Sequence, residues 1–171
     1  MSRSFRLETT TSTIWITGKA IDIDWHGFAG HLAEELARLS AGTLVVIHEA
    51  EREIEASRAI QFVQEDARLI AELSHNDYLD PDVWATPAGE EAIRELGWRP
   101  PARELGRDNW WDTLDWPATA AQYRELATKA VLGLRDGYRI SSEAPFYYHA
   151  WNERRGNEPV DLPLLGLPHV K

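Results

Sequence analysis

Cysteine is absent from these 171 residues. That excludes disulfides, thiolate metal sites, iron–sulfur clusters and cysteine nucleophiles, and it fits a reducing compartment. Long hydrophobic runs are missing too, since no stretch approaches the roughly 18 apolar residues of a membrane span. The first thirteen residues hold two arginines and scattered serine and threonine, without the apolar core of a secretory signal. The expectation is a cytoplasmic protein. Basic charge is scarce, with 18 Lys and Arg against 28 Asp and Glu and a net charge of −10. Phosphate backbones are bound through Lys and Arg, so nucleic acid is an unsuitable partner. An acidic surface suits a carrier of basic or aggregation-prone proteins as well as a plain soluble protein. The G-x-S-x-G, G-x-x-x-x-G-K-[ST] and G-x-G-x-x-G patterns are all absent.

What is present suits one globular domain. Hydrophobic residues make up 43% and charged residues 27%, and a chain of this size buries roughly 68–70% of its unfolded surface. Alternation on both sides of Gly18-Lys19 predicts a small hairpin over residues 13–24. Asp24 then caps a helix from about Trp25 to Ser40, with Phe28, Leu32, Leu36 and Leu39 on one stripe and Gly42 as its stop. The β-branched run Leu44-Val45-Val46-Ile47 predicts a buried strand over Thr43–Glu49. The acidic run that follows is an exposed turn. Residues 58–64 and 67–74 form a hairpin around Glu65-Asp66, which sets Phe62 opposite Leu69 and Ile60 opposite Ala71. Gln61, Gln64, Arg68, Ile70 and Glu72 are left for the other face.

Thr86-Pro87 opens a second helix that ends at Gly97. Residues 107–114 read as a strand. Trp116-Pro117 starts the longest helix, to about Tyr138, with Tyr123, Ala127, Ala130, Leu134 and Tyr138 inward. Phe146–Trp151 is an aromatic strand. The tail, 157–171, carries three prolines and four leucines. It reads as an extended apolar segment that docks on something. The fold class is therefore α+β, a mainly antiparallel meander with helices packed on one face, in the order α-β-β-β-α-β-α-β. The expected organisation is an extension over 1–24, a domain over 25–151 and a tail over 152–171.

Chemistry is thin. His75 and Asp77, two apart in a loop, supply too few ligands for a metal. His26 and His31 are five apart, the wrong interval for one helix face. His48, His149 and His169 are isolated. Glu34-Glu35 and Glu90-Glu91 are adjacent on helices and diverge. Ser141-Ser142 has no neighbouring base. The expectation is a protein with no catalytic residue, metal or cofactor, with an enzyme of unrecognised type as the weakest reading.

Tryptophan is the positive signal. Trp98, Trp110, Trp111 and Trp116 fall within nineteen residues, and each is costly to leave wet. Trp98 suits a helix end and Trp116 packs beside Pro117. Trp110 and Trp111 are adjacent in a strand and face opposite ways, so one meets the helices and the other a sheet face open to a partner. The candidate contact surface is Gln61, Val63, Ile70, Trp110 or Trp111, and Tyr147 or Tyr148.

At these residues the chain resembles a known family. The resemblance is carried by Trp25, Phe28, Leu32 and Leu36 on a helix, then Leu44-Val45-Val46 and Ile60-Gln61-Phe62. It continues through Leu96-Gly97-Trp98-Arg99-Pro100-Pro101, Asn109-Trp110-Trp111, Trp116-Pro117 and a long helix ending near Tyr138. Over residues 25–151 it is similar to the peptide-binding chaperones that unite type III secretion chaperones with YbjN-like domains. The resemblance implies a helix, a three-stranded meander, a second helix, further strands and a third helix. It also implies a protein or peptide client, frequent dimerisation, and no catalytic residue or cofactor. The hairpin before Trp25 and the apolar tail depart from that pattern. The leading expectation is a non-enzymatic holder of an extended client segment, with the tail able to mimic a client. The alternative is a structural or immunity-type module that docks one folded partner.

Overall fold

A computed structural model describes residues 24–50, 52, 53 and 56–171. The hairpin expected around Gly18-Lys19 lies outside them. Helix α1 spans Trp25–Leu36. The Asp24 carboxylate accepts from the His26 N–H at 3.2 Å, which satisfies a helix-start donor. The helix stops four residues short of Ser40 because residues 37–42 turn the chain into the sheet. Gly42, at φ +89°, donates to the Gln64 carbonyl at 2.8 Å.

Among the described residues six strands form one sheet: β1 Thr43–Glu49, β2 Ala59–Gln64, β3 Arg68–Leu73, β4 Trp110–Asp115, β5 Phe146–Asn152 and β6 Glu158–Pro159. Their order is β4-β3-β2-β1-β5-β6, with every neighbouring pair antiparallel. The fold is the expected α+β sheet with helices on one face. The β2–β3 register corrects the sequence reading. Phe62 pairs with Ala71 and Ile60 with Leu73, because the two-residue turn is Asp66-Ala67, closed by Glu65 N–H donating to the Arg68 carbonyl. The slip is two residues, so the facing of the apolar side chains survives. Gln64 shares the parity of Ile60 and Phe62. It therefore turns inward, with its amide nitrogen 2.8 Å from the Glu65 carbonyl, rather than towards the other face.

Helix α2 spans Pro87–Glu95. Thr86 caps it by accepting from the Gly89 N–H, and Gly97 at φ +88° ends it. Helix α3 covers Ala120–Leu132, followed by a π-helical stretch at Gly133–Gly137. It starts later than Trp116 because Thr119 and Gln122 form a reciprocal capping box. Strand β4 begins at Trp110, after a short 3-10 turn at Arg103–Leu105.

One core lies between the sheet and the helices. Val45, Ile47, Ile60, Phe62, Leu69 and Leu73 meet Phe28, Leu32, Ile93, Leu126, Ala130 and Leu134 there. The tail joins this core through Leu162 and Leu165, around a 3-10 turn at Pro163–Leu165 packed on α1. It is extended apart from that single turn.

The seat of α2 depends on a backbone approach. A Cβ on Gly89 would stand 2.1 Å from the Gly137 carbonyl oxygen, which no side-chain rotation relieves. Gly89→Ala should destabilise the protein by about 1–3 kcal/mol, the usual range for core overpacking. Thermal unfolding checks this, and an unchanged midpoint contradicts the close packing.

Candidate functional site

Alternate side chains of a strand leave opposite faces of its sheet. Val45, Ile47, Ile60, Phe62, Leu69, Ala71, Leu73 and Trp110 point to the helices. Residues of the other parity form a second face, whose rows follow from the register. Trp111 lies opposite Glu72, Glu72 opposite Gln61, Gln61 opposite Val46, and Val46 opposite His149. The neighbouring row runs Thr113, Ile70, Val63, Leu44 and Trp151. Ala59, His48 and Tyr147 form a third.

The middle of this face is aliphatic. Leu44, Val46 and Ile70 are only 2%, 6% and 5% exposed, yet none belongs to the helix-side core. Half-buried Val63 and Trp151 flank Leu44.

The β4 end is cationic and aromatic. The Arg99 guanidinium lies 4.4 Å from the Trp111 ring centre and that of Arg107 lies 5.5 Å away, both in cation–π range. The Trp111 indole N–H donates to the Pro100 carbonyl at 3.1 Å. Arg99 also exchanges two backbone hydrogen bonds with Trp111, each 3.0 Å, which covers part of the β4 edge. Arg107 pairs with Glu72 at 3.5 Å. Burial pushes the Glu72 carboxyl above its ordinary value, against the pull of Arg107.

The β5 end carries imidazoles. The His48 ring stacks on His149 at 5.2 Å and meets Tyr147 edge-on at 6.0 Å. His48 Nδ1 is 2.8 Å from the Glu49 carbonyl. Burial, with the neighbouring His48 and His169, holds His149 down to about 4.

Of the residues expected to touch a partner, the second face gathers Gln61, Val63, Ile70, Trp111 and Tyr147. Trp110 and Tyr148 are corrections. Trp110 is 1% exposed and lies in the core against His75 and under Arg94. Tyr148 is 3% exposed, and its hydroxyl accepts from the Leu162 N–H. Each is the inward member of an adjacent pair, so Trp111 and Tyr147 are the outward ones. The face is also less polar than the sequence suggested. Leu44, Val46, His48, His149 and Trp151 were not anticipated on it. The signal for the first two was the unbroken apolar run of β1, a pattern that means burial on both sides of a sheet.

The His75-Asn76-Asp77 loop serves structure. Asn76 donates to the Ala85 carbonyl and accepts the Ala85 N–H, and Arg103 pairs with Asp77 at 2.7 Å. Among the described residues, no group of three or more histidines and carboxylates is arranged to hold a metal ion. None of their helices is long and apolar enough to cross a membrane.

A sheet sealed by helices on one face and lined with aliphatic and aromatic side chains on the other fits the class of peptide-binding α+β domains. The chain belongs to the family described as T3SS (YopN, CesT) and YbjN peptide-binding chaperone 3, which matches residues 18–152. Nothing among curated proteins or solved structures matches it.

The imidazole end makes stability depend on pH. His149 holds its proton less firmly when folded, at about 4, than in an unfolded chain, where it titrates at 6.5. Its contribution is complete above pH 6.5 and is lost as pH falls towards 4. His149→Gln should therefore lose less stability than the parent across that interval. Paired thermal melts check this, and parallel declines contradict it.

Proposed function

We propose that this chain is a non-catalytic holder of extended client segments, and that the sheet face opposite α1, α2 and α3 is where it holds them. Trp111, Gln61, Val63 and Tyr147 provide the contact side chains, with Ile70 as part of the floor. The observation that carries this reading is the set of half-buried side chains Gln61, Val63, Trp111, Tyr147 and Trp151, arranged around a floor of Leu44, Val46 and Ile70 that belongs to no helix-side core.

The chemistry of the face suits such a ligand. An extended client presents alternate side chains to a sheet, so a row of apolar contacts with polar ends binds many sequences weakly. Gln61 and Thr113 supply hydrogen-bonding groups within the two rows. The family's peptide-binding character supports the reading. The lack of cysteine accords with a cytoplasmic setting.

Self-association is part of the same reading. Tyr78, Trp84, Leu105 and Trp116 are exposed large apolar side chains, and exposed aromatics on a small domain favour a symmetric dimer.

Binding of a chemically unfolded client protein, followed by fluorescence anisotropy, tests the face. Trp111→Ala should weaken binding by about tenfold or more, the scale of an aromatic anchor. Arg124→Ala, on the solvent side of α3, should leave it unchanged. Equal binding by all three proteins contradicts the assignment, and capture of one folded partner only would favour the docking-module alternative. Light scattering on the same samples should read two chains per particle. A mass of one chain at high concentration removes the dimer.

A further inference from the structure

Beyond the sheet face, the tail marks a second place where this fold grips an extended segment. The chain leaves β5 through an exposed 3-10 turn at Glu153–Arg155, and Gly156 and Asn157 both take positive φ. It then returns along the outer edge of β5. Glu158 and Pro159 pair with Asn152 and Trp151, and the Val160 N–H donates to the Ala150 carbonyl at 2.9 Å. Next it climbs onto α1, and Leu162 and Leu165 are sealed at 3% and 4% exposure. It comes back to β5 at His169, whose ring stacks on Tyr148 at 4.4 Å.

The polar bonds made by this segment are mostly to its main chain. The Leu162 N–H donates to the Tyr148 hydroxyl at 3.0 Å, and the Leu164 N–H to the buried Glu35 carboxylate at 2.7 Å. The Tyr148 N–H donates to the Pro168 carbonyl at 3.1 Å, and the Val170 N–H to the Tyr148 carbonyl at 2.9 Å. A site that reads backbone groups and two side-chain pockets accepts many sequences. The pockets are three residues apart, at Leu162 and Leu165. The family match ends at residue 152, so the segment lies beyond the matched unit and on its surface.

We propose that the cleft between α1 and the outer edge of β5 is a second peptide-binding site. Residues 158–170 are its resident ligand. Its exchange partner is an extended client segment with two leucines three residues apart and no acidic side chain between them. The exclusion of an acid there follows from the buried Glu35 carboxylate, which takes the Leu164 N–H and would repel it. The proposal rests on the peptide-binding reading of the family but does not involve the sheet face opposite the helices.

The test uses the full chain with a specific protease site inserted between Gly156 and Asn157, in the exposed turn. After cleavage the tail is held without a covalent link. The probe is a fluorescein-labelled synthetic peptide of residues 157–171. It should enter the nicked protein saturably and release the resident tail, and it should not enter the uncut protein. Peptides with Leu162→Asp or Leu165→Asp should bind about tenfold or more weaker each, since each loses a buried leucine. Three results would overturn the proposal: a tail that never exchanges, a fold lost on cleavage, or variant peptides that enter as well as the parent. Unfolded-client binding to the uncut protein and to its Trp111→Ala variant reports on the sheet face alone. Failure there with intact tail exchange removes the sheet-face reading and leaves this one.

Discussion

The structure depends on one strand that is apolar on both sides. All seven residues of β1 are buried, and it lies fourth of six, between β2 and β5. Valine and isoleucine of one parity anchor the helix-side core. Leu44 and Val46, of the other parity, are shut away from water on the face opposite the described helices. A domain with a single core needs only one apolar face per strand. The second apolar set on β1 therefore imposes a second packed surface, and the rows of side chains around it follow from the register. Each buried leucine or valine is worth roughly 1.5–3 kcal/mol relative to exposure, so this strip is a substantial part of what holds the strand in the sheet.

The two edges of the sheet are handled differently. Arg99 pairs with Trp111 on the β4 side and blocks part of that edge with a charged side chain. On the β5 side the tail covers the edge with its own backbone, and its leucines close the gap above α1. Unpaired edges invite pairing with other chains, and each device limits it. The polar groups that the tail meets are satisfied from both partners. Glu35 and Tyr148 are drawn inward to accept amide hydrogens, and Asn152 donates to Ser40, Ala41 and Thr43 at the base of β5.

Much of this architecture was legible from residue patterns. The caps at Asp24 and Thr86, the stop at Gly97, the buried run of β1 and the aromatic strand from Phe146 are local signals, and local physics decides them. The inward stripe of Tyr123, Ala127 and Ala130 on α3 follows from helical period, while Leu134 and Tyr138 are buried in and just after the π-helical stretch that follows. What escaped was set by pairing partners. The β2–β3 turn moved by one residue because Glu65 and Arg68 close it, while Gln64 faces inward by sharing the parity of Ile60 and Phe62. Alternation predicted that Trp110 and Trp111 diverge, but only the seat of β4 beside β3 decides which one meets the core. The partners of the tail, Glu35 and Tyr148, are far from it in sequence, so its docking was foreseen without its address. The imidazole pair His48 and His149 is likewise a product of β1 lying beside β5.

The central claim is that the sheet face built around the strip fixed by β1 is a surface for company, with the strip as its floor. Site-specific photo-crosslinking tests it most directly, with a photoreactive residue placed in turn at Val63, Thr113 and Arg124 and an unfolded client added. The account predicts client adducts at positions 63 and 113, which share one cross-strand row, and none at 124 on the solvent side of α3. Adducts at 124 with none at 63 or 113 would contradict it.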